Sequence, residues 1–283
     1  MSRPLRLLAP GAVYHVVARG NAKMAIFCDD IERRRFLVIL ETVARRRRIE
    51  CHAYCLMSNH YHLVIRTLEP NLSSAIQYLN GVYARWWNKR HHRCGHVWQG
   101  RFKAQLIEME DYFLEACRYV VLNPVRAGLV QQAQDFAWSS YAATAGLVPC
   151  PPHLTTSLLL GNRSASVCSE YQAFIAAGVS ESEASAALHS DVLLVGSKQF
   201  AAAHWEIISQ MATTDVVRRH RVIGRPTLEE LFAEVGDRPT RNLRIRDARY
   251  RFHYRVSEVA GHLSLHYGTV SRIAVAIDNA LSS

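Results

Sequence analysis

Apolar residues in the first half of the chain switch between a period of two and a period near 3.6 in a fixed order, and that order limits the fold more than any other feature. AVYHVVARG reads as a strand ending at Gly20. Asp29 and Asp30 can cap a helix whose apolar positions Phe36, Leu40 and Val43 recur at helical spacing, with arginines on its other faces. IECHAYCLM and HYHLVIR read as two strands of a hairpin turning at Ser58-Asn59. Asn71 or Ser73 opens a second helix with Leu72, Ile76, Leu79, Tyr83 and Trp86 on one stripe. FKAQLIEM reads as a fourth strand, and Asp111 caps a third helix expected to stop at the Asn123-Pro124 boundary. The predicted domain is therefore α+β, a ferredoxin-like βαββαβ unit with an added helix. Its helices are expected on one face of the sheet, leaving the other free to hold a site.

On the third strand His60 and His62 are two apart and share a face, while Tyr61 points to the other. Two parallel imidazoles on a rigid strand can bind one divalent cation through neutral ring nitrogens, but they need a third ligand and an open position for catalysis. The bland alternative is a pair of satisfied core histidines. In RYVVLNPVRAGLV, Tyr119 and Asn123 lie one helical turn apart and present a phenol and an amide on one helix face. A tyrosine that merely packs a helix ended by Asn-Pro would look the same. CHAYC and HHRCGH are rich in possible ligands, yet neither has the paired C-x-x-C spacing of a structural zinc site.

Charge narrows the partner. The 34 Lys and Arg against 24 Asp and Glu leave a net +10, mostly from arginine, which suits a polyanion such as nucleic acid. The clusters Arg33 to Arg35, Arg45 to Arg48 and WWNKRHHR mix cations with aromatics, a combination that holds a phosphate backbone and stacks bases. No apolar run of about eighteen residues is present, so a transmembrane span is not expected. The N-terminus lacks the pattern of a signal peptide, and seven scattered cysteines show no pairing rhythm. The reading is a reduced, cytoplasmic, nucleoid-associated protein.

RGNAKMAIF, MSNHYHLVI, WQGRFKA and RYVVLNPVRAGLV occur in the order found in REP-associated tyrosine transposases, single-tyrosine members of the HUH endonuclease superfamily, and the chain resembles that family from about Pro4 to Tyr141. The resemblance implies that His60 and His62 bind a divalent metal, Mg or Mn, with Asn123 completing the site. It implies that Tyr119 is the nucleophile, forming a 5′-phosphotyrosyl link on single-stranded or hairpin DNA. Arg45, Arg46, Arg47 and Arg101 are the candidate DNA contacts in this half.

After Tyr141 the composition becomes small, apolar and punctuated, and residues 142–199 read as a connector with short helices. Residues 200–283 read as a helical DNA-binding domain. RVSEVAGHLSLHYGTVSRIAVAI, near 255–277, has helix-turn-helix spacing: Val259, Ala260 and Leu263 face inward, Leu265 lies in the turn, and Val270 and Ile273 anchor the second helix. Ser264 stands where glycine often makes such a turn. His266, Tyr267, Thr269, Ser271 and Arg272 are the residues expected to meet flanking duplex DNA. The expected protein is a monomeric or homodimeric strand-transfer enzyme with a catalytic domain at 1–141. Two other readings stay open: a domesticated, catalytically inactive DNA-binding regulator, and a metal-dependent phosphodiesterase that uses water.

Overall fold

The computed structural model describes residues 6–178, 183–189, 192–204 and 225–282. The chain divides into two compact units, Arg6–Gly196 and the segment from Ser197 onward. In the first, β1 (Val13–Arg19), α1 (Asp30–Arg47), β2 (Ile49–Leu56), β3 (His60–Thr67), α2 (Leu72–Arg90), β4 (Lys103–Ile107) and α3 (Met109–Arg126) follow in the predicted order. The strands lie in the order β2-β3-β1-β4, all antiparallel, which is the ferredoxin-like arrangement. A short β5 (Leu194–Val195), not anticipated from sequence, extends the sheet parallel to β4.

α1 begins where Asp29 accepts the Glu32 backbone N–H, and it buries Phe36, Ile39, Leu40 and Val43. Its basic end, Arg45 to Arg47, complements the carbonyl terminus, and Arg48 caps it in the left-handed region at φ +50°. On α2 the buried stripe is Leu72, Ile76, Leu79, Tyr83 and Trp87. Trp86, placed on that stripe by sequence, instead lies half-buried between the guanidinium groups of Arg35 and Arg90. Spacing of i+3 and i+4 was available to either tryptophan, and packing selected the second.

Tyr61 points toward α1 and α2, its ring 4.8 Å from that of Phe36 and its hydroxyl donating to Asn80 Oδ1 at 2.8 Å. The opposite face is not open, as sequence suggested. α3 buries Phe113, Ala116, Cys117 and Val120 there against Val13, Cys55 and Val64, joined by Leu188 of α7 (Glu183–His189; α4–α6 are given below). An apolar stripe of that size has to be covered, so the added helix closes the face and the histidines become enclosed.

α3 also runs past the expected stop to Arg126, with Pro124 inside it. Proline removes the N–H that the Val120 carbonyl would accept, and Asn123 Nδ2 donates to that oxygen at 3.4 Å and to the Tyr119 carbonyl at 2.9 Å. The helix ends instead just before Gly128, at φ +67°.

The expected connector is, up to Gly196, a packed part of the first unit. α4 (Tyr141–Thr144), α5 (Ser157–Leu160) and α6 (Ala165–Ala177) bury Tyr141, Leu160, Tyr171 and Ile175 against Val121 and Leu122 of α3. In the second unit α8 (Lys198–Ala203), α9 (Leu228–Phe232), α10 (Arg238–Tyr250), α11 (Val256–Leu263) and α12 (Tyr267–Ser282) are described. Leu231, Ile245, Ala248, Phe252, Val259, Ala260, Val270 and Ala274 form its core. Leu263, Leu265 and Ile273 pack against that core, matching the inward positions read from the pattern. Ser264 does take the glycine-like conformation between α11 and α12, at φ +53° and ψ +38°.

Candidate active site

β3 brings His60 and His62 together with ring centroids 5.0 Å apart, and α3 sets the Tyr119 ring 5.9 Å from that of His62. The Tyr119 ring is further enclosed by His15 of β1 at 5.5 Å and His189 of α7 at 5.3 Å, with the Arg126 guanidinium 5.1 Å from its centroid. Asn123 sits one turn along the same helix, its NH2 turned to its own backbone, which leaves Oδ1 as the outward-facing group.

Hydrogen bonds decide which nitrogen of each histidine is available. Gln105 on β4 donates from Nε2 to the Ala187 carbonyl at 3.1 Å, so its Oε1 is the group 2.8 Å from His15 Nδ1. His15 must therefore donate from Nδ1. Burial takes its pKa down from 6.5 to about 4, so at neutral pH it has one proton and its Nε2 is an acceptor. The partner at 2.9 Å is His62 Nδ1, which must then be the N–H, and His62 Nε2 is left with its lone pair. His60 reaches the same state by another route. Asn59 donates from Nδ2 to the Lys23 carbonyl at 3.2 Å and accepts on Oδ1 from His60 Nδ1 at 2.6 Å. Both histidines thus carry the Nε2 lone pair that a cation needs, with tautomers set by neighbours in the way ligating histidines usually are.

Burial also keeps them uncharged. His60 is lowered to about 4 by burial and then by Arg19, and His62 falls well below its usual value through burial and the adjacent His15. Neutral imidazoles with free Nε2 lone pairs are donors that suit a divalent cation, and the Asn123 amide oxygen is a further donor one helical turn from Tyr119.

Sequence reasoning missed His15, Gln105, Arg19 and His189. His15 and Arg19 were legible in principle, because on β1 they share the parity of Val13 and so lie on the histidine face; Arg19 pairs directly with His60. Gln105 and His189 carry no local signal. The predicted basic residues divide. Arg101 precedes β4 at the end of the sheet near His60, whereas exposed Arg45 to Arg47 precede Ile49, whose partner is Thr67 at the far end of β3. Seven strand steps put those arginines roughly 20 Å from His60. His266, Tyr267 and Arg272 are exposed on the second unit, with Thr269 and Ser271 half-buried. A separate grouping, Cys28, Glu32 and His91, has ligand atoms within 4.8 Å of one another. In it the Glu32 carboxylate is already held by the Cys28 backbone N–H at 2.6 Å and by His91.

Residues 10–122 match the family described as Transposase IS200 like. A REP-associated tyrosine transposase of Haemophilus influenzae strain Rd is 28% identical over 103 residues, which are 32% of this chain and 58% of the relative. The chain thus spans little more than half the length of that relative. A solved REP-associated tyrosine transposase bound to a REP hairpin covers 53% of this chain and 90% of its own, at 21% identity and a TM-score of 0.45. A transposase structure from Deinococcus radiodurans R1 covers 46% and 92%, at 16% identity and a TM-score of 0.30. The family match lies within the stretch, about Pro4 to Tyr141, over which the four motifs resemble REP-associated tyrosine transposases, and ends inside the fourth motif.

Proposed function

We propose that the chain is a metal-dependent endonuclease and strand transferase for single-stranded or hairpin DNA, with Tyr119 as nucleophile and His60, His62 and Asn123 as ligands of Mg or Mn. The observation that carries this is the pair of Nε2 lone pairs on His60 and His62, set by two independent hydrogen-bond chains beside the Tyr119 ring. Core histidines need no such matched tautomers. When bound, the metal supplies Lewis-acid stabilisation of the charge that develops on the phosphate. A phenol with an ordinary pKa near 10 is only about a thousandth ionised at neutral pH, so charge stabilisation at the phosphate matters. Arg19, beside His60, is placed to hold a phosphate oxygen.

Tyr119 Oη attacks phosphorus, the 3′-oxygen leaves, and a 5′-phosphotyrosyl link forms; attack by another 3′-hydroxyl reverses the step and restores the tyrosine. Because Tyr119 is covered by Leu188 and His189, productive DNA displaces α7 from it. The catalytic residues are assigned to the stretch 1–141, and the short helices that follow, up to Gly196, pack onto it within the same compact unit. The exposed end of α12, with His266, Tyr267 and Arg272, is assigned to flanking duplex DNA.

The test is covalent trapping. Wild-type protein with Mn and a hairpin oligonucleotide should give a denaturant-stable adduct, and Tyr119→Phe should give none while keeping its fold. An adduct with the Phe variant, or strand cleavage by it, would remove Tyr119 from its role and favour attack by water. Binding without cleavage by the wild type would favour the inactive regulator.

A further inference from the structure

On the α1–α2 face of the sheet lies a cavity of about 500 Å³, away from the histidines. Arg6, Gln77, Asn80, Trp98, Arg101 and Phe102 line it, with no acidic residue among the described residues. Arg6 is fixed there: it donates to Ser73 Oγ at 3.3 Å and to the Phe102 carbonyl at 2.7 Å, with its guanidinium 3.6 Å from the Phe102 ring centroid. Among the described residues it has no carboxylate partner. Burial first, and then the neighbouring Arg101, lower its pKa to about 10. Arg101 and Gln77 side chains make no hydrogen bond or ion pair among the described residues. Asn80 spends Oδ1 on the Tyr61 hydroxyl, which leaves its NH2 as a donor at the cavity wall. Trp98 is held by its indole N–H on the Asn80 carbonyl at 2.9 Å and remains half-buried.

Two uncompensated guanidiniums facing an aromatic wall and unused amides call for an anion attached to a planar, hydrogen-bonding group. The location narrows this further. Gly20 bridges to Trp98, and its neighbour Arg19 pairs with His60, so cavity and histidines lie at the same end of the sheet on opposite faces. A single strand rounding that end passes from one to the other.

We propose that this cavity holds one unpaired nucleotide of the DNA strand being cleaved, its phosphate between Arg6 and Arg101, its base against Trp98, and its edge read by Asn80 and Gln77. This rests on the single-strand reading above and assigns it a specific subsite. A duplex cannot enter, because a paired base has its Watson–Crick edge occupied and both of its faces stacked.

The experiment uses the full chain with Arg101→Ala and Gln77→Ala, two changes that remove no bond within the described protein. Binding of a fluorescein-labelled twelve-nucleotide unpaired DNA and of a blunt duplex is measured by anisotropy at several salt concentrations. Arg101→Ala should bind the unpaired DNA about tenfold more weakly, with its salt slope reduced by about 0.7 for one lost phosphate contact, and the duplex unchanged. Gln77→Ala should alter the ranking among oligo-dA, oligo-dC and oligo-dT without altering the salt slope. Equal losses on unpaired and duplex DNA, or wild-type binding by both variants, would overturn the pocket. Adduct formation on the same oligonucleotide separates the two claims. No adduct from wild-type protein alongside weakened binding by Arg101→Ala supports the pocket while sinking the strand-transfer reading. An adduct with binding unaffected by both variants does the reverse.

Discussion

Replacing Gln105 tests whether the hydrogen-bond chain behind His62 sets its metal-binding state. In Gln105→Leu, the His15 Nδ1–H loses its acceptor at 2.8 Å in a residue that is 1% exposed, and the Ala187 carbonyl loses a donor at 3.1 Å. Stranding one buried donor costs about 1–3 kcal/mol of stability. His15 is then free to carry its proton on either nitrogen, so His62 loses its enforced tautomer, and changes to such supporting partners weaken metal binding by about 10–100-fold. Gln105→Glu is the sharper case because it keeps an acceptor. A carboxylate there raises the His15 pKa and favours imidazolium, which must donate from Nε2 to His62 Nδ1. The His62 proton is driven to Nε2, the very atom needed by the cation. Gln105→Glu should therefore bind Mn at least as poorly as Gln105→Leu, although it is the more conservative change in shape. Long-range 15N–1H spectra of metal-free protein read the His62 tautomer, and calorimetry reads Mn affinity. If both variants keep the Nδ1–H tautomer and wild-type Mn affinity, the relay has no role.

Three further outcomes are expected. His15 has its folded pKa lowered to about 4 from 6.5, so as pH falls below 6.5 the unfolded chain takes up a proton that the folded chain refuses. Stability is full above 6.5 and falls toward pH 4, by on the order of 3 kcal/mol from this group. Urea midpoints of metal-free protein should drop over that window and drop less in His15→Phe; a flat profile refutes the assignment. Ser264→Gly relieves a left-handed conformation between α11 and α12 and should stabilise the second unit by about 1 kcal/mol, seen in thermal unfolding; a lower melting temperature would contradict the strain argument. Arg272→Ala should weaken duplex binding by about 1–3 kcal/mol if the side chain reads a base, or flatten the salt slope by about 0.9 if it touches phosphate. Duplex binding unchanged in both affinity and slope would remove Arg272 from the interface.

Elements whose residues obey a local period were legible in the sequence. The βαββαβ order, the inward packing of Val259 and Val270 on two successive helices, and the common face of His60 and His62 each follow from side-chain geometry one or two turns or strand steps long. The family resemblance is what singled out Tyr119 and Asn123 as candidates, where geometry alone left an ordinary helix end. What sequence could not decide was anything settled by packing between distant segments. Either tryptophan could have completed the α2 stripe, Pro124 could have ended α3, and the histidine face could have stayed open; each was resolved by which surface another element had to cover. The tautomers of His60 and His62 belong to the same class. They depend on Asn59, Lys23, His15, Gln105 and Ala187, five residues spread over more than half the chain, and a proton's position on an imidazole is set only when those neighbours meet in three dimensions.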